Sequence, residues 1–138
     1  MSSITVPKSA KDFEMNDVSV EIPKGLGQPF GYRLFVLPVK PKSKVGSILL
    51  PDEVKDANDW LNAIGKVAAV GTCAFTHPRW KELGLKAKDT PKVGDFIMYA
   101  SRSPHRFTFN GVSVLVINDD WISGTVDPET AYSYKFYV

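Results

Sequence analysis

A chain of 138 residues, 43% of them hydrophobic and with eight Phe, five Tyr and three Trp, is long enough for one domain with a genuine core and too short for two. The formal charge of +2 comes from Lys, Arg, Asp and Glu interspersed along the chain, which excludes a basic stripe for nucleic acid and an acidic tail for a charged partner. A single Cys closes no internal disulfide, the amino terminus has no apolar run of signal-peptide length, and no stretch approaches the roughly 20 apolar residues of a membrane span, so the expected address is a reducing cytoplasm.

In chain order, turn residues alternate with β-branched and aromatic runs, and only short pieces carry helical spacing, which predicts an all-β chain. Residues 1–29 hold Pro7, Pro23, Pro29, Gly25 and Gly27, with alternation confined to Val18, Val20 and Ile22; they read as an amino-terminal arm with one strand. Residues 30–39 form a strong predicted strand, apolar on both faces except at Arg33, expected to stop at Pro38 and Pro41, which donate no ladder hydrogen bond. A long connection follows at 40–63, with Lys40, Lys42 and Lys44 before the triplet Ile48-Leu49-Leu50 and Asp52, Glu53, Asp56 and Asp59 after it. Val54, Ala57, Leu61 and Ile64 lie at helical spacing and predict a short amphipathic helix within that connection. Residues 65–71, closed by glycines, form a short strand, and 72–92 form a second long insertion in which 78–85 fit one or two helical turns. Val93-Gly94-Asp95 turns into a strand at 96–100. Phe107-Thr108-Phe109 then meets Val112-Ser113-Val114 across Asn110-Gly111, a hairpin whose second arm runs to Ile117. The chain continues through Trp121-Ile122 into a tail, 124–138, whose residues 132–138 are rich in strand formers. Two loops of about 20 residues in so small a β domain mark 40–63 and 72–92 as the segments where function is expected.

Five pieces then fall in one order: Tyr32-Arg33-Leu34-Phe35-Val36; Gly46-Ser47-Ile48-Leu49-Leu50-Pro51-Asp52 in a long loop; Gly65-Lys66-Val67-Ala68-Ala69-Val70-Gly71; Val93-Gly94-Asp95-Phe96-Ile97-Met98-Tyr99; and Val114-Leu115-Val116-Ile117 before Asp120-Trp121-Ile122. In sequence, order and approximate spacing they resemble the GroES-type co-chaperonins, the chaperonin-10 family, over roughly residues 30 to 125. The resemblance implies an irregular small β-barrel over 30–123, with a mobile loop at about 40–63 and a roof-type insertion at about 72–92. It also implies a homo-oligomer, a seven-membered ring that caps the chamber of a GroEL-like chaperonin and encloses unfolded substrate protein, with ATP bound by the partner. In that family the aliphatic triplet of the loop is the chaperonin contact; here it falls on Ile48, Leu49 and Leu50, with Gly46 and Ser47 at the loop turn and Pro51 ending the triplet.

The triplet's apolar character has a plain alternative, since a short apolar run between turn residues also reads as a buried strand. The ordered match favours the loop. Burying an aliphatic side chain is worth about 1.5–3 kcal/mol, whereas fixing each flexible loop residue costs about 1–2 kcal/mol, so one loop alone binds poorly. Seven loops on one ring make every later contact intramolecular, which turns a weak contact into a firm and reversible cap.

Candidates for chemistry are thin. Cys73, His77 and His105 are scattered along the chain, no Cys-x-x-Cys spacing is present, and Gly25-Leu26-Gly27-Gln28-Pro29-Phe30-Gly31 fails the spacing of a dinucleotide loop and places Pro29 where a helix should start. The GroES-like barrel also serves as the catalytic domain of medium-chain alcohol dehydrogenases, but a Rossmann domain and zinc ligands are both missing. No enzyme activity, cofactor or metal is therefore expected. Ser101-Arg102-Ser103-Pro104-His105-Arg106-Phe107-Thr108-Phe109 places basic residues before aromatics that could stack bases; as plain structure it is a hairpin with Phe107 and Phe109 toward the core, and no nucleic-acid partner is expected. The alternative to a co-chaperonin is a small β-barrel self-assembly module, for example of a virus particle.

Three departures from the family stand out. Ser-Arg-Ser-Pro-His-Arg replaces its glycine-rich stretch between Tyr99 and Asn110; Trp80, Leu83 and Leu85 with Pro78 and Pro91 give the roof position another shape; and both arms lie outside the resemblance. They point by analogy to a divergent, bacteriophage-encoded co-chaperonin working in host cytoplasm. Exposed sheet edges accept strands, so residues 132–138 are expected to pair with a neighbouring subunit.

Overall fold

The computed structural model describes residues 15–40, 64–100 and 105–133. Among them the strands are β1 (Asn16–Asp17), β2 (Arg33–Lys40), β3 (Ile64–Val70), β4 (Phe96–Tyr99), β5 (His105–Phe109), β6 (Val112–Asn118) and β7 (Ile122–Val126). One short helix, α1 (Pro78–Glu82), and three-residue to six-residue 3-10 turns at Ala87–Asp89, Asp119–Trp121 and Pro128–Ser133 complete the elements. The fold is all-β, as the density of short strands and turn residues predicts.

The sheet order is β5-β6-β2-β3-β4-β7, with β1 beside β2. Every pairing along that order is antiparallel, and the two-residue β1 runs parallel to Val39 and Lys40. Among the described residues the ladder does not close: β5 and β7 remain edges. Each is short and carries exposed polar positions (His105 and Thr108; Ser123 and Thr125), which suits a wet edge. Among the described residues the architecture is thus an open, rolled sheet without barrel closure. Rolling follows from the core, because Ile97 and Tyr99 of β4 share one cluster with Leu115 and Ile117 of β6, although β2 and β3 lie between those strands.

Strand β2 is central because both its faces are apolar. Leu34 and Val36 enter the inner cluster, while Leu37 packs with Ala68 and Val114 on the opposite face, which the arm covers with Val20, Ile22 and Leu26. The register with β3 shifts between Phe35 and Val36, where Ala68 is the extra residue of β3, so that Val67 and Val70, three positions apart, both reach the inner cluster while Ala68 packs on the opposite face. Strand β2 starts at Arg33 instead of Phe30, since Gly31 adopts a left-handed φ of 67° and the Arg33 amide turns back to the Phe30 carbonyl at 3.3 Å.

Nor does it stop at Pro38. That residue is fully buried inside the strand, opposite Gly65, at a point where β6, which pairs only with Arg33 to Val36, has already left β2. The lost donor therefore falls beyond the β6 ladder, and the Pro38 carbonyl accepts from the Asn16 side chain at 3.0 Å.

The strand expected around Val18, Val20 and Ile22 does not form. Asp17 Oδ1 accepts from the Ser19 amide and hydroxyl, both at 2.9 Å, and the Val20 amide donates to the Asp17 carbonyl at 2.9 Å, so a local Asp turn wins over extension. At the other end β7 runs through position 124 to Val126, and Val126 and Ala131 are buried with Val39 and Ile64. Residues 132 and 133, read as strand formers, belong to the 3-10 turn Pro128–Ser133; 134–138 lie outside the described residues, as does the helix expected after the triplet.

Candidate partner-binding loop and cleft

Ile48, Leu49, Leu50, Gly46, Ser47 and Pro51 lie outside the described residues, but the two anchors of their loop do not. Residues 41–63 leave from the end of β2 at Lys40 and return at Ile64, the start of β3, and these two strands are paired through Pro38 and Gly65. Both anchors therefore lie at one end of one strand pair.

That end is braced from the arm. Asn16 is buried; its Nδ2 donates to the Pro38 carbonyl at 3.0 Å and to the Ser113 carbonyl at 2.9 Å, and its Oδ1 accepts from the Ser113 amide at 3.0 Å. One side-chain amide thus does for β2 and β6 what an intervening strand would do, filling the gap where they diverge. On the β3 side, Lys66 Nζ donates to the Val20 carbonyl at 3.1 Å and sits 5.9 Å from the Phe96 ring centre. Gly65 is required there, since a Cβ would meet Val36 Cγ1, the Leu37 carbonyl and Tyr99 Cε1.

The opposite end of β2 and β3, about 23 Å away at roughly 3.3 Å per residue, opens into a cleft of about 540 Å³. Phe30 and Tyr32 from the approach to β2, and Trp80 from α1, supply its aromatic wall; Arg33, Arg79 and Asp120 supply charges of both signs. The backbone that shapes it is tightly tied. The Gly71 amide donates to the Arg33 carbonyl at 2.9 Å and the Cys73 amide to the Gly31 carbonyl at 3.0 Å. Buried Asp119 donates its amide to the Tyr32 carbonyl at 3.1 Å, and its Oδ2 accepts from the Phe75 amide at 2.8 Å, holding Phe75 at a φ of 62°.

Helix α1 is capped by His77, whose Nδ1 accepts from the Arg79 amide at 3.0 Å. The Arg79 guanidinium carbon stands 5.4 Å from the Trp80 ring centre, and the indole Nε1–H of Trp80 is buried with no hydrogen-bond partner among the described residues. Phe30 is 85% exposed and Tyr32 49% exposed, at a place where the sequence predicts ordinary strand residues.

Of the three residues considered for chemistry, Cys73 and His77 both line this cleft, while His105 lies on edge strand β5, tilted against Phe107 at 6.3 Å. Phe107 packs edge-on to Phe35 at 5.5 Å and belongs to the outer core cluster, so its ring is engaged in packing. Among the described residues no group of three or more His, Cys, Asp or Glu is arranged to hold a metal ion, and no helix is long and apolar enough to cross a membrane. Sequence reasoning missed the cleft because its walls come from 30–33, 72–80 and 118–120, which only the β2–β3 and β2–β6 pairings bring together. No family model matches the chain, and no curated protein matches it.

Proposed function

We propose that this chain is a co-chaperonin: a ring-forming lid that binds the ATP-bound state of a GroEL-like chaperonin through Ile48, Leu49 and Leu50 and encloses unfolded substrate protein. It works in the cytoplasm, with no chemistry and no cofactor of its own. What carries the reading is the presentation of residues 41–63 from two adjacent strand ends, Lys40 and Ile64, braced by Asn16 and Lys66 on an all-β roll. A loop hung from a rigid base displays its apolar residues at a defined place, and seven such bases in a ring display them at high effective concentration. The ordered resemblance of the five segments supplies the identity of the partner.

The test is chaperonin-assisted refolding of a protein that does not refold alone, with ATP and with or without this chain. The proposal expects the refolded yield to rise only in the complete mixture. No gain over chaperonin and ATP, with the chain present as a ring, overturns it.

A further inference from the structure

We infer that Asn110-Gly111, the turn of the β5–β6 hairpin, is a site of spontaneous covalent modification: deamidation of Asn110 to isoaspartate, which loosens the edge strand β5 as the protein ages. The chemistry is intramolecular. The Gly111 amide nitrogen gives its proton to hydroxide and bonds to Asn110 Cγ, and Nδ2 leaves with a solvent proton as ammonia. One water then opens the cyclic imide. Breaking the new bond gives aspartate; breaking the original bond from the Asn110 carbonyl carbon gives isoaspartate, with the main chain routed through Cβ and Cγ. One ammonia leaves and one water enters, with no oxidant, reductant or enzyme required.

Three observations single out this Asn. Both turn residues are exposed, and Gly111 has no side chain to hinder the approach of its amide to Cγ. Among the described residues no carbonyl accepts from the Gly111 amide and no group bonds the Asn110 side chain, so neither reacting atom is held away from the other. The other described Asn residues fail one of these conditions. Asn16 is buried with its side-chain amide in three hydrogen bonds, and the amide after Asn118 is that of Asp119, which donates to the Tyr32 carbonyl at 3.1 Å. The consequence follows from the turn. Its two residues take left-handed φ of 50° and 80°, and Phe109 pairs directly with Val112. Isoaspartate adds one methylene to the main chain, so a loop matched to that pair no longer fits it. Strand β5 has no second strand beside it among the described residues; it is held by the β6 ladder and by the edge-on contact of Phe107 with Phe35 at 5.5 Å. Opening therefore starts at the turn and runs toward His105.

Ageing the purified full chain in mildly alkaline buffer at physiological temperature, followed by peptide mapping and an enzymatic isoaspartate-methylation assay, tests the assignment. Isoaspartate is expected at position 110, forming faster as pH rises because the amide must lose its proton. It should exceed that at Asn118 by at least about tenfold, the ratio that a barrier difference of about 1.4 kcal/mol sets. Asn110→Gly, whose Gly-Gly turn accepts the same backbone but offers no Cγ to attack, should form none. Hydrogen exchange in β5 should rise in the aged wild type ahead of the other strands, while aged Asn110→Gly keeps the pattern of fresh protein. Asn110→Asp, tested fresh, retains the ordinary main chain and should exchange like fresh wild type, which separates the added methylene from the added charge. An Asn110 that stays intact, isoaspartate forming equally at Asn118, or isoaspartate at 110 with β5 exchange unchanged overturns the inference.

Discussion

Asn16 joins three parts of the chain through one side chain: the arm, β2 at Pro38 and β6 at Ser113. Replacing it by Ala removes three buried hydrogen bonds at once, so Asn16→Ala is expected to cost about 2–4 kcal/mol, read as a lowered urea midpoint at unchanged m-value. Gly71 has less tolerance still, because an added Cβ there meets the Gly31 and Arg33 carbonyls, which are backbone and cannot rotate away. Gly71→Ala should destabilise by about 2 kcal/mol or more in the same measurement, while Gly27→Ala, with open space around it, should change stability by less than about 0.5 kcal/mol.

Tyr99 adds a pH dependence. Burial in the inner cluster pushes its phenol well above the usual value of about 10, since the charged form would be desolvated. The folded state therefore keeps a proton that the unfolded chain loses above about pH 10, so stability is intact below that pH and falls as pH rises beyond it, by at most about 1.4 kcal/mol per unit. Tyr99→Phe should flatten this part of the urea-midpoint profile, and an unchanged alkaline slope would contradict the assignment.

Among the elements, the β5–β6 hairpin was the most legible, because its instruction is local. Asn110 and Gly111 take φ of 50° and 80°, the left-handed pair that a tight two-residue turn needs, and Phe109 pairs directly with Val112. Replacing Asn110-Gly111 by Ala-Ala is expected to cost about 1–2 kcal/mol and to raise hydrogen exchange in β5 before the other strands. Strand β3 and the turn before β4 were equally plain, with Gly94 at a φ of 97° donating its amide to the Val67 carbonyl at 2.8 Å. Legibility ended where distant residues decide. Pro38 reads as a stop, yet its missing donor falls where β6 has already left and Asn16 arrives from 22 residues away. Val18, Val20 and Ile22 alternate like a strand, but Asp17 supplies a local turn and their side chains reach the core from an irregular arm. The cleft was invisible for the same reason: Phe30, Trp80 and Asp120 are remote in sequence and meet only through sheet pairing. The proposed chaperonin contact, by contrast, rests on the ordered resemblance of five segments, since the triplet's local pattern by itself also reads as a buried strand.

At the scale of the molecule, the two ends of the β2–β3 pair differ. One end holds Lys40 and Ile64, the residues that flank 41–63; the other holds an aromatic cleft between charges of both signs. Rigid strands between them keep the two surfaces a fixed distance apart. A synthetic peptide covering residues 41–63 should compete for chaperonin only at concentrations far above those at which the ring binds, because it forgoes multivalency and must be ordered on binding.

The most direct measurement of the proposed role is ATP-dependent co-sedimentation of the purified chain with a bacterial chaperonin, wild type against Ile48→Ser/Leu50→Ser, with ring assembly of both checked in parallel. The expected result is nucleotide-dependent binding of the wild type and a double variant that still assembles but no longer sediments with the chaperonin. A double variant that unfolds or falls to monomers makes those residues core, and a wild-type ring that ignores the chaperonin in every nucleotide state contradicts the co-chaperonin role itself.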